Sequence, residues 1–147
     1  MSYIRNVELS DAEVLVEIYR PYVENTTISF ECETPSVDEF RSRIENISKK
    51  YPYIVMVEDD EIVGYAYAGR FKGRKAYDWC VETTIYVRED KKGGGYGKKL
   101  YLELEKRLKK QNILNMYACI AYTDNEDEHL TNNSMQFHEH MGFRLIG

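Results

Sequence analysis

Cysteine is scarce in this 147-residue chain, and its three cysteines, Cys32, Cys80 and Cys119, form no C-x-x-C pair. Odd in number and widely spaced, they argue against a disulfide framework and read as reduced, buried thiols of a cytoplasmic protein. Long apolar runs are missing too. None approaches the ~20 residues that a membrane helix needs, and Met1-Ser2-Tyr3-Ile4-Arg5 has no apolar signal-peptide core, so no membrane partner is expected. Positive charge is in deficit: a net charge of −5 argues against a general nucleic-acid binder. No repeat, linker or low-complexity segment breaks the chain. What is present is ordinary for a globular protein, 43% hydrophobic and 31% charged residues, and the length suffices for one domain with a real core, spanning residues 1–147. Thirteen tyrosines fit extensive strand surface or an aromatic pocket equally well.

Glycine is also sparse, yet four of the nine glycines fall at Gly93, Gly94, Gly95 and Gly97. Before them runs the β-branched Ile85-Tyr86-Val87, ending in the charged turn Arg88-Glu89-Asp90-Lys91. After them Leu100, Leu104 and Leu108 keep helical spacing. Strand, glycine loop, helix is an arrangement for binding phosphate or pyrophosphate, because glycines let the backbone approach a ligand and a helix start presents unpaired N–H groups. Lys91, Lys92, Lys98 and Lys99 add positive charge. A Walker A loop would need Gly at 92 and Ser or Thr at 99, where both residues are Lys. The dinucleotide fingerprint fails because Lys98 stands where its third glycine belongs, and because the loop lies mid-chain.

The pattern along the chain predicts a strand at Tyr3–Val7, then a helix opened by the capping box Ser10-Asp11-Ala12-Glu13 and carrying Val14, Leu15, Ile18 and Tyr22, with Pro21 near its end. An irregular connection with Phe30 follows. A second box, Ser36-Val37-Asp38-Glu39, opens a helix with Phe40, Ile44 and Ile47. Tyr53–Glu58 and Ile62–Arg70 read as a hairpin turning at Asp59-Asp60. Lys72–Lys75 is a basic turn and Trp79–Val87 a strand. The helix after the glycine loop runs to about Lys110. A strand at Met116–Tyr122, an acidic loop, a short helix at Asn132–His140 with Gly142 as its C′ residue, and a last strand from Phe143 complete the order. The fold class is mixed α/β. In Trp79–Val87 the core face is Trp79, Val81, Thr83, Ile85 and Val87. The other face carries Glu82, within ~17 Å of the loop at ~3.3 Å per residue. Glu82 is either a catalytic carboxylate, or a plain solvent-facing strand residue or ion-pair partner of Arg74.

Lys92-Gly93-Gly94-Gly95-Tyr96-Gly97 resembles the [QR]-x-x-G-x-[GA] pattern of the GCN5-related N-acetyltransferases, with Lys in place of Gln or Arg at its first position. Ile18–Glu31, Val63–Val87 and Asn133–Phe143 together are similar to the phosphinothricin and methionine sulfoximine N-acetyltransferases of that family, over nearly the whole chain. The resemblance implies a single-domain acyl-CoA N-acyltransferase fold, a mostly antiparallel central sheet flanked by helices. It implies acetyl-coenzyme A as co-substrate and a small-molecule amine, glutamate-like, as acceptor. By position Glu82 is the general base. Ile85, Tyr86 and Val87 offer backbone groups to the pantetheine arm, and Lys92, Gly93, Gly94, Gly95, Tyr96, Gly97 and Lys98 cradle the pyrophosphate. Asn133 contacts the coenzyme or simply caps its helix. Phe30, Arg74 and Tyr77 line the acceptor pocket, although a core phenylalanine and a surface arginine are the plain alternatives. His138 stands where many relatives carry a tyrosine that protonates the leaving thiolate. His138-x-His140 makes no metal pair, since positions i and i+2 of a helix face apart, and no metal is expected. Cys80 as an acyl carrier lacks an assignable His partner.

Two departures from the family pattern bear on the expectation. The 124–131 loop is longer than in the best-known members, and the chain ends at Gly147, before the last strands of the family. A sheet edge left open invites association, so a homodimer is expected. The short C-terminus also keeps a rival reading open, an acetyl-coenzyme A-binding module with weak or lost catalysis. A protein acetyltransferase would need an open groove instead of the Phe30 and Tyr77 blocks.

Overall fold

The computed structural model describes residues 2–24, 33–70, 80–91, 94–111 and 115–117. Strands β1 (Ser2–Asn6), β2 (Tyr53–Glu58), β3 (Glu61–Arg70), β4 (Cys80–Val87) and β5 (Asn115–Tyr117) and helices α1 (Ala12–Glu24), α2 (Val37–Ser48) and α3 (Tyr96–Lys110) follow the order β1α1α2β2β3β4α3β5. The sheet runs β1-β2-β3-β4-β5, antiparallel through β4, with β5 parallel to β4. Between β2 and β3 the chain reverses on Asp59 and Asp60, both at positive φ (50° and 66°), as a two-residue turn matched to strand twist requires.

The two faces of the sheet carry separate cores. On one, α1 and α2 press Leu15, Tyr19, Phe40 and Ile44 against Tyr53, Val55 and Tyr65. On the other, α3 lays Leu100, Leu104 and Leu108, one turn apart, onto Ile54, Ala66 and Val81. Each such leucine contributes roughly 1.5–3 kcal/mol by leaving water. Lateral ion pairs one turn apart, Glu103 with Arg107 (2.9 Å) and Glu105 with Lys109 (3.2 Å), line the outer side of α3.

One expectation here needs correction. The capping box at the first helix does not start at Ser10. A 3-10 turn at Leu9–Asp11 precedes α1, and Asp11 accepts the Glu8 N–H (2.8 Å) while Arg5 grips its carboxylate at 2.8 and 3.0 Å. That cation reaches Asp11 from β1, so tertiary structure chose the register. Val14 is 42% exposed, and the buried stripe of α1 is Leu15, Val16, Ile18, Tyr19, Tyr22 and Val23. Pro21 lies in the last turn of α1, near the helix end at Glu24, as expected. Likewise α2 opens as expected, with the Ser36 hydroxyl accepting the Glu39 N–H at 3.1 Å. The connection around 25–31, the basic turn 72–75, the acidic loop 124–128, the helix 132–140 and the final strand lie outside the described residues. No helix among the described residues is long and apolar enough to cross a membrane.

Candidate active site

After β4 a 3-10 turn at Glu89–Lys91 leads to Gly94 and Gly95, and α3 begins at Tyr96. Gly95 has φ 80° and ψ 6°. An L-side chain in that left-handed region costs ~1–2 kcal/mol, so glycine is the residue the turn needs. No side chain caps α3, no acid sits in its first turn, and Lys98 and Lys99 there are exposed. By comparison, α2 satisfies its start with Ser36 and carries Asp38 and Glu39. The N–H groups of α3 and its positive dipole end are thus available to an anion.

The loop is braced from below. A Cβ on Gly94 would lie 2.7 Å from Tyr96 Cε2 and 3.1 Å from its Cδ2, so the Tyr96 ring lies across that glycine. The Tyr96 hydroxyl donates to the Glu58 carboxylate at the end of β2. Tyr96 therefore ties the loop to the β2–β3 hairpin, and its hydroxyl is spent there. Gly64 has a related role. A Cβ on it would meet Tyr86 O at 3.0 Å and Leu100 Cδ1 at 3.2 Å, so its bareness lets α3 settle on the sheet beside the end of β4.

The β4 backbone has a definite phase. Arg88 N–H donates to Val63 O at 2.8 Å, and β3 pairs with β4 in constant register from Gly64–Val87 to Arg70–Val81. In an antiparallel ladder alternate residues turn their N–H and C=O to the same partner. Tyr86, Thr84 and Glu82 thus address β3, while Val87 and Ile85 address the β5 side. Tyr22 of α1 agrees with that phase, since its hydroxyl donates to Val87 O at 2.5 Å. Burial, helped by nearby Glu89, pushes the Tyr22 phenol well above its ordinary pKa, so it stays a donor at neutral pH. Among the described residues β5 pairs with β4 only at Cys80–Glu82, and no strand pairs with Ile85 or Val87 on that side. By that phase Ile85 and Val87 turn their backbone groups away from β3. Tyr86 points its backbone to Tyr65 and its ring into a group with Tyr19, Tyr22 and Tyr65, centroids 5.0 to 5.7 Å away.

Glu82 is half-buried and stands opposite Gly69 on β3 and Tyr117 on β5. Strand alternation puts its side chain on the α1/α2 face with Thr84 and Tyr86, while Val81 and Thr83 are buried toward α3, where Thr83 Oγ1 lies 3.3 Å from the Tyr101 hydroxyl. That division of faces matches the expectation. Glu82, Ile85, Val87, Gly94, Gly95, Tyr96, Gly97 and Lys98 thus fall along one strand-loop-helix path. Phe30, Arg74, Tyr77, Lys92, Gly93, Asn133 and His138 lie outside the described residues. A cavity of about 490 Å³ near Lys49, Tyr51, Arg107 and Gln111 is at the far end of α3 and touches none of these groups. No cluster of three metal-ligating side chains occurs among the described residues. Tyr22 and Glu58 were missed from sequence, because their partners lie 65 and 38 residues away.

An uncapped helix start behind a glycine turn, at the end of the strand that carries Glu82, is a site for an anionic ligand on the same path as a carboxylate. The chain belongs to the GNAT acetyltransferase family: the model of the acetyltransferase (GNAT) domain matches residues 4–147. It is similar to the phosphinothricin N-acetyltransferase of Streptomyces viridochromogenes, 31% identical over 98% of this chain and 75% of that protein. It is also similar to the L-methionine sulfoximine/L-methionine sulfone acetyltransferase of Pseudomonas paraeruginosa, 29% identical over 98% of this chain and 81% of that one. Among solved structures, a GNAT phosphinothricin acetyltransferase from Sinorhizobium meliloti in complex with AcCoA superposes with a TM-score of 0.90, at 32% identity, covering 99% of this chain and 76% of that one.

Proposed function

We propose that this acetyltransferase moves the acetyl group of acetyl-coenzyme A directly to the α-amino group of a small, glutamate-like amino acid or analogue, of the phosphinothricin and methionine sulfoximine type. The observation that carries the reading is that one strand, β4, bears Glu82 and leads to the uncapped glycine turn of α3. The first turn of α3, with Lys98, holds the pyrophosphate. Gly93, Gly94, Gly95 and Gly97 admit it to the backbone, and Lys92 adds charge. The Ile85 and Val87 backbone groups pair with the pantetheine arm as an added strand would. Asn133 contributes a polar contact to the same co-substrate.

The acceptor arrives as an ammonium. Glu82, directly or through water, takes its proton. The freed nitrogen attacks the thioester carbon, the new C–N bond forms, and the C–S bond breaks with its electron pair going to sulfur. The thiolate takes a proton from His138. Amide and free thiol are the products, and no covalent enzyme intermediate is required. Arg74 binds the acceptor's carboxylate or phosphinate in bidentate fashion, with Tyr77 and Phe30 closing the pocket. A homodimer in the cytoplasm belongs to the same reading, and sedimentation tests the dimer.

The experiment is an acceptor screen with acetyl-coenzyme A, reading thiol release. Acceptor-dependent release with phosphinothricin, methionine sulfoximine or a related amino acid is expected. Tight coenzyme binding with no acceptor-dependent release would favour the binding-module reading instead.

A further inference from the structure

Resting on that reading of Glu82, we infer that Gly69 is a specificity-determining residue: its missing side chain forms the notch that admits the acceptor's side chain beside the base. The cross-strand pairs of β3 and β4 stand as Tyr65–Tyr86, Tyr67–Thr84 and Gly69–Glu82. Partners directly opposite in an antiparallel pair share a face, with Cβ positions ~4.5–5.5 Å apart. Tyr65, Tyr67 and Tyr86 all pack toward the α1/α2 side, so Gly69 and Glu82 open on that side too.

The relief of this face changes abruptly there. From β2 to β4 it is paved with aromatic rings. Tyr53 stacks on Tyr67 at 4.6 Å, Tyr65 lies parallel to Tyr67 at 6.4 Å, and Tyr86 follows at 5.7 Å from Tyr65. Two residues further along β3 the side chain vanishes. A Cβ built on Gly69 meets no atom within 4 Å among the described residues. Among the described residues the carboxylate opposite thus borders a step where the tyrosine paving stops, with Tyr67 as its wall. A glutamate-like acceptor must bring its α-amino group to Glu82 and still house its own side chain. The step supplies that room on the side away from α3.

Backbone need does not explain this glycine. Among the described residues only Gly95 is a glycine at positive φ, so an L-residue at 69 is unstrained, and a strand interior is where glycine is otherwise disfavoured. That makes the position testable without unfolding the domain.

The test compares wild type with Gly69→Ala and Gly69→Leu, measuring the acetyl-coenzyme A dissociation constant, and kcat/KM for a short acceptor (alanine) and a long one (methionine sulfoximine). Both variants should fold and bind acetyl-coenzyme A as wild type does. Each excluded methylene is worth about 10–200-fold in discrimination, so Gly69→Leu should lower kcat/KM for the long acceptor by at least about 10-fold more than for the short one. Gly69→Ala, the milder variant, should shift the ratio the same way. An unchanged ratio in both variants of an active enzyme would overturn the role of Gly69 alone. A wild type that acetylates no amino acid would overturn the acceptor reading together with it.

Discussion

Two adjacent glycines of the loop should fail for different reasons when replaced, and the difference checks the geometry of the pyrophosphate cradle. Gly95 sits at φ 80° with nothing within 4 Å of a Cβ among the described residues. Gly95→Ala therefore meets no clash, only the left-handed penalty of ~1–2 kcal/mol. Part of that is offset by ~0.4–1 kcal/mol from the stiffer unfolded chain, leaving a net loss of about 1 kcal/mol in stability. A domain of this size then melts about 2–4 °C lower. If the loop instead relaxes to escape the strain, acetyl-coenzyme A must restore it, and affinity falls by about 5–30-fold at ~1.4 kcal/mol per decade. Gly95→Asn should fall between wild type and alanine in both measures, because asparagine tolerates the left-handed region. Gly94→Ala is a steric case, its Cβ 2.7 Å from Tyr96 Cε2. Removing the ring with Tyr96→Ala should relieve Gly94→Ala and leave Gly95→Ala as costly as before. Thermal melts and calorimetric titration with acetyl-coenzyme A, run as double-mutant cycles, read both. The reasoning is refuted if Gly95→Ala is silent in both assays, or if Tyr96 couples to Gly95 as strongly as to Gly94.

Tyr22→Phe removes the donor to Val87 O and should cost about 0.5–1.5 kcal/mol, read as a lower melting temperature; an unchanged melt would show that α1 does not hold the end of β4. Asp11→Asn should cost about 1–3 kcal/mol at neutral pH, because Arg5 and the Glu8 N–H lose their charged acceptor. Burial alone would raise the Asp11 carboxyl, but the Arg5 hydrogen bond and the Glu8 N–H outweigh it and hold it below its ordinary value. A depressed folded pKa means this contribution is complete above ~pH 4, the unfolded carboxylate's value, and fades as pH falls through the folded one. Urea melts of wild type and Asp11→Asn should therefore converge in acid; a constant gap down to about pH 2 would contradict the assignment.

Those groups also mark where the sequence was readable. The Ser36 cap, the Tyr53–Glu58 strand, the Asp59-Asp60 turn and the α3 stripe are local patterns of spacing and propensity, and each appears where expected. The start of α1 was not readable. Ser10-x-x-Glu13 and Glu8-x-x-Asp11 have equal spacing, and the choice rests on Arg5 arriving from the neighbouring strand. Val14 keeps helical spacing with the buried Ile18 and Tyr22, and only the packing shows that it faces water. At the site, glycine spacing and the β4 alternation pointed to the loop and to Glu82. The sequence carried no sign that Tyr86 spends its backbone on β3, that Gly94 is bare to admit the Tyr96 ring, or that Tyr22 reaches Val87 across the sheet edge. These depend on ladder phase and on contacts between distant segments.

The most direct test of the account is a paired measurement on Glu82→Gln: acetyl-coenzyme A affinity by calorimetry, and acceptor-dependent thiol release at neutral pH with the best acceptor of the screen. Glu82 stands on β4, away from the glycine turn. Affinity should therefore be unchanged while turnover falls by about 10²–10⁴-fold, the usual worth of a general base. The deficit should shrink at high pH, where more of the amine is already neutral. Turnover equal to wild type at neutral pH would contradict the account.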